Sequence, residues 1–109
     1  MNTEIFVDIE RFVEAANSPE KTLFLTVILQ ALLDASKPET TNESEQAKYD
    51  RDRSIAWFFA SIGTTASDFE VVCDMAGIDV AYTREFASKI LRTKEIKYVR
   101  KKINAILSS

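Results

Sequence analysis

Apolar residues recur along this chain at intervals of three and four, and that pattern predicts helix nearly throughout. Over Thr3 to Ala16, the residues Ile5, Phe6, Ile9, Phe12, Val13 and Ala16 fall on one stripe, with Asp8, Glu10, Arg11 and Glu14 opposite. The first helix is therefore expected to be amphipathic and to pack by one face. Ser18-Pro19-Glu20 has the form of a helix start. Ser18 offers a cap acceptor, Pro19 stands at N1 where its missing N–H costs nothing, and Glu20 suits the positive helix end. The helix it opens runs to about Ser36. Leu23, Phe24, Leu25, Val27, Ile28, Leu29, Ala31, Leu32 and Leu33 wrap most of its circumference, so it is either the central core helix or a helix that shares a face with a second subunit.

Lys37 to Glu45, KPETTNESE, is polar, contains Pro38 and shows no periodicity, which marks an exposed and flexible connection. From Gln46 to Ile62 the apolar positions Ile55, Ala56, Phe58, Phe59 and Ile62 return to helical spacing, Trp57 and its neighbours are expected to anchor the core, and Gly63 stands where a left-handed C-terminal cap belongs. Ser67-Asp68-Phe69-Glu70 is a capping-box pattern that predicts a helix beginning at Asp68. Its apolar positions Phe69, Val72, Cys73 and Ala76 run into Gly77, and Asp79 is a good N-cap for a helix from Val80 to about Leu91. A final helix over Lys94 to Leu107 is expected to bury Ile96, Val99, Ile103, Ile106 and Leu107. The fold class that follows is all-α: a compact bundle of five or six helices, one domain over 1–109, with a linker at about 37–45.

Composition narrows the function classes. Hydrophobic residues make up 46% and charged residues 28%, the usage of an ordinary folded domain. With no histidine and one cysteine, Cys73, the chain lacks the usual zinc ligand sets, the commonest general base and any intramolecular disulfide. Cys73 reads as a small buried hydrophobe of low reactivity. The opening MNTEIFVDIERF has acids where a signal peptide needs basic and then apolar residues, and Leu23 to Leu33 falls short of a membrane span, so the expected location is cytoplasmic with no membrane partner. Net charge is −3, but it is sorted: residues 82–109 carry eight bases and two acids, leaving −9 on residues 1–81. A basic end of this kind can meet a polyanion while the acidic body faces away.

The two short helices flanking Gly77, FEVVCDMAGIDVAYTREFASKI, resemble a helix-turn-helix unit. Cys73 takes the small position facing the second helix, Gly77 the turn and Ile78 the angle, while Phe86 and Ile90 hold the second helix to the core. The pattern departs at Cys73, where alanine is commoner, and at Thr83, where a β-branched aliphatic residue is expected. The longer run Ile55 to Arg84 is similar to small phage and prophage proteins of the helix-turn-helix DNA-binding type. The resemblance implies a recognition helix in the major groove of double-stranded DNA, exposing Ala81, Tyr82, Arg84, Glu85, Ser88 and Lys89. Arg84 would read guanine, Glu85 cytosine, and Ser88 either base. Lys89, Arg92, Lys94, Lys97, Arg100, Lys101 and Lys102 would meet phosphates. Such readers commonly pair, so a homo-oligomer, with a dimer favoured, is expected.

A rival from another class is a non-catalytic helical adaptor or inhibitor that docks on a host protein through the acidic face; the −9 of residues 1–81 motivates it. Catalysis is not expected. Asp50 and Asp52 lie two apart on a predicted helix and point away from each other, and Asp68, Glu70 and Asp74 read as favourable charge near a helix N-terminus. No metal or other cofactor is implied by their spacing.

Overall fold

The second helix is the axis of the molecule. The computed structural model describes residues 3–108, and six helices account for most of them: α1 (Thr3–Ala15), α2 (Pro19–Ala35), α3 (Glu45–Phe59), α4 (Gly63–Ala76), α5 (Val80–Arg92) and α6 (Ile96–Ser108). The all-α bundle read from periodicity is the observed fold. α1, α3, α4 and α6 pack around α2, while α5 closes the far side against α1, α3, α4 and α6. One continuous core draws side chains from all six helices, with Ile9, Ile28, Leu29, Leu32, Phe58, Phe69, Phe86, Ile90 and Ile103 among its buried members. Each large side chain removed from water there contributes about 1.5–3 kcal/mol against the entropy of ordering the chain.

The helix starts follow their caps where the caps are local. The Ser18 hydroxyl accepts from the Lys21 amide at 3.2 Å with Pro19 following, and the Asp79 carboxylate accepts from the Tyr82 amide at 2.8 Å. Ser44 caps α3, which starts at Glu45, one residue ahead of the expected Gln46, and accepts from the Ala47 amide at 3.1 Å.

Other boundaries depart from the sequence reading. α3 ends at Phe59 and not at Ile62, and Ile62 is exposed. α4 begins at Gly63, not Asp68, so Ser67 and Glu70 lie inside a helix and no capping box forms. Gly63 has the positive φ expected of it, +87°, but it turns the chain into α4 and does not close α3. The physical reason is Ala66: starting one turn earlier buries it and brings Asp68 within 2.7 Å of the Trp57 indole Nε1, which donates to it. α6 starts at Ile96, which leaves Lys94 in the preceding turn. On α1 the stripe is rotated from expectation, because Val13 is exposed and Asp8 is 4% exposed. α2 is central as one reading of its periodicity required, yet Leu23 and Val27 are 63% and 43% exposed on its outer side. The connection 37–44 is exposed except at Glu43, which is pinned: Arg51, buried on α3, forks onto its carboxylate at 2.8 and 2.6 Å.

Candidate functional site

A tight glycine turn joins α4 to α5 at the segment that the helix-turn-helix resemblance covers. Gly77 closes α4 at φ +75°, its amide donating to the Asp74 carbonyl while the Ile78 amide donates to that of Cys73. Ile78 packs against the core. Cys73 is buried, and burial pushes its thiol up to about 11, so it stays protonated and unreactive at neutral pH. Thr83, the other departure from the pattern, is buried with its hydroxyl donating to the Asp79 carbonyl at 2.6 Å, which removes the cost of the polar atom.

The face that a recognition helix would offer to DNA is largely occupied. α1 runs antiparallel along α5. The Tyr82 hydroxyl donates to Asp8, its ring lies 5.5 Å from that of Phe12, and Phe12 in turn meets Phe86 at 4.8 Å. Burial and the Asp8 carboxylate push the Tyr82 hydroxyl above its ordinary value. Lys89 pairs with Glu4 and stands 3.7 Å from Asp8; the hydrogen bond with Glu4 raises the Lys89 ammonium and holds the Glu4 carboxyl low.

Arg84, the expected guanine reader, turns inward. Its Nε donates to the Phe58 carbonyl at 2.9 Å and its Nη2 to the Ala60 carbonyl at 3.1 Å, with the guanidinium 5.1 Å from the centroid of the Phe69 ring. Tyr82, Arg84, Ser88 and Lys89 are thus half-buried where exposure was expected. Ala81, Glu85 and Arg92 remain exposed, and of these only Glu85 and Arg92 are charged, one acid and one base.

The basic C-terminal helix is likewise divided. Arg100 donates to the Leu33 carbonyl and, at 2.8 Å, to the Ser36 hydroxyl, closing the end of α2. Lys102 pairs with Glu10 at 3.0 Å. Lys94, Lys97 and Lys101 are exposed and have no ion-pair partner among the described residues. Of the cations expected to meet DNA, Arg84, Lys89, Arg100 and Lys102 are instead engaged at helix ends and on α1.

A different concavity lies away from the α1–α5 contact, on other helices. Between α2, α3 and α4 is a cavity of about 640 Å³, within the span of roughly 300–1,000 Å³ usual for ligand pockets. Asp34, Asp50 and Asp68, one from each helix, line it together with Arg53, Trp57 and the hydroxyls of Ser54, Thr64 and Thr65. Each carboxylate is oriented by a neutral donor: Gln30 to Asp34 at 3.4 Å, Gln46 to Asp50 at 2.8 Å and Trp57 to Asp68 at 2.7 Å. None has an ion-pair partner among the described residues.

An apolar groove over Leu23 and Val27 shares Ala31, Asp34 and Ser54 with this cavity. Asp50 and Asp52 do diverge as expected, Asp50 into this wall and Asp52 elsewhere on the exposed surface. Asp34, Arg53, Thr64 and Thr65 carry no spacing signal, because the cavity gathers them from three helices. No group of three or more metal-ligating side chains occurs among the described residues, and no described helix is long and apolar enough to cross a membrane. No family model, curated protein or solved structure matches the chain.

Proposed function

We propose that this chain is a non-catalytic helical binding module that takes a basic segment of a partner protein on its acidic α2–α3–α4 side. The observation that carries the reading is the trio Asp34, Asp50 and Asp68, which line one concavity and have no ion-pair partner among the described residues, beside an exposed apolar strip at Leu23 and Val27. Uncompensated carboxylates next to apolar surface favour a cationic, amphipathic occupant and repel nucleic acid.

A second reading, a DNA-binding regulator of the phage type, rests on the α4–α5 corner and on Arg92, Lys94, Lys97 and Lys101, which can contact phosphates but cannot distinguish bases. Fluorescence anisotropy separates the two. A labelled amphipathic peptide bearing arginine and leucine should bind the chain, and a labelled mixed-sequence duplex should not. Duplex binding that falls steeply with salt and is lost on replacing Lys97 and Lys101 by alanine would overturn the module in favour of DNA.

A further inference from the structure

We infer that the cavity between α2, α3 and α4 is an arginine pocket, and that its occupant is a peptide segment of a partner protein presenting an arginine and, about one helical turn away, an aliphatic side chain. This rests on the binding-module reading and specifies what that module recognises.

Four features select the cation. The lining carries three carboxylates and one base, so its net charge is −2, and the carboxylates belong to three different helices that the shared core holds in place. They have been positioned without being neutralised: the groups that orient them are two carboxamides and an indole, all uncharged, although Arg53 stands in the same wall. An incoming cation therefore has free carboxylate oxygens to accept its N–H donors and displaces no existing ion pair.

The single tryptophan of the chain is part of the wall. Its ring is fixed edge-on against Phe58 and Phe69, with centroids 5.2 and 4.9 Å away, and by the hydrogen bond to Asp68. A planar guanidinium can stack on an aromatic ring while forking onto carboxylates, which the compact and strongly hydrated lysine ammonium does less well.

The aliphatic half follows from continuity along α2. Leu23, Val27, Ala31 and Asp34 are spaced so that they fall on one face of that helix, an apolar strip that ends at the carboxylate. A partner helix laid along the strip sets an aliphatic side chain on Leu23 and Val27 while its arginine reaches Asp34 and the cavity behind it. Charge and apolarity are thus read at neighbouring points, the arrangement of a helix-in-groove contact.

Trp57 also supplies the readout. Titration of the intact chain with the labelled arginine–leucine peptide, with its twin carrying citrulline in place of arginine, and with a lysine version gives two signals: label anisotropy for binding and Trp57 emission for pocket entry. The arginine peptide should bind about tenfold more tightly than the citrulline or lysine peptide, with a saturable change in Trp57 emission. Asp50→Asn and Asp34→Asn, checked for unchanged helicity, should remove that preference; a preference that survives both would overturn the pocket assignment.

If all three peptides bind equally and Trp57 emission does not respond, the pocket assignment is wrong and the module survives. If no peptide binds, both fall. Sedimentation of the chain alone should show a species that Asp50→Asn does not alter; self-association that this substitution dissolves would give the groove to a second copy and overturn the assignment.

Discussion

Two arginines that read as nucleic-acid contacts in sequence prove to be helix caps supplied from a distance. An α-helix leaves its last four carbonyls without intrahelical partners, and neither α2 nor α3 has a basic residue in its last turn. Arg100 serves the end of α2 and Arg84 the end of α3, and the latter also lies against Phe69. Arg84→Ala should therefore cost about 1–3 kcal/mol of stability in urea unfolding, because two carbonyls lose a charged donor. An unchanged midpoint would mean that this side chain is free in solution.

Arg51 makes a comparable bond across the 37–44 connection, and its guanidinium holds the Glu43 carboxyl below its ordinary value of 4.5. A carboxyl that binds its proton more weakly when folded contributes fully above the unfolded value, and the contribution is lost as pH falls through the native one. The Tm gap between the parent and Glu43→Gln should accordingly be widest at neutral pH and close in acid. A gap that is constant down to about pH 3 would show that the pair does not form.

Among the elements, the α4–α5 corner has the strictest local requirement. Gly77 sits at φ +75°, and a Cβ placed there would meet the Lys21 side chain at 3.2 Å. Gly77→Ala should destabilise the chain by about 1–2 kcal/mol from the left-handed backbone alone. Gly77→Asn should cost less, because asparagine tolerates that region; equal losses would point to the Lys21 contact as the dominant cost. The same corner shows why a recognisable element does not carry a function with it. The glycine turn, the buried Cys73 and the capping Asp79 stand where the sequence reading put them, yet α1 lies along the face of α5 that a recognition helix would present.

For the whole molecule, the common core has a thermodynamic consequence. α1 contributes Ile5, Ile9 and Phe12 to the same cluster that holds Phe58 of α3, Phe86 of α5 and Ile103 of α6, so no helix has a hydrophobic face of its own to fold on. Unfolding should be a single transition, with helicity by circular dichroism and Trp57 emission giving coincident midpoints. Loss of the Trp57 signal ahead of helicity would mean that α3 and α4 separate from the rest first. At this scale the charge sorting of the sequence also becomes spatial. The C-terminal cations are partly consumed as caps and clamps, whereas the carboxylates of α2, α3 and α4 line a concavity.

The succession of six helices, the caps at Ser18 and Asp79, the glycine corner and a mainly apolar α2 were legible in the residues themselves, because each depends on neighbours within about one turn. The onset of α4 at Gly63 was not, since a serine three residues before a glutamate fits a helix interior as well as a helix start, and the burial of Ala66 decided between them. Which cations face water was also beyond local pattern. Phe58 is 26 residues from Arg84, and Leu33 is 67 from Arg100, so only the packed bundle brings those carbonyls to those side chains. The cavity follows the same rule: Asp34, Asp50 and Asp68 share no period, and they meet because three helices pack their apolar sides together and leave these carboxylates at the rim.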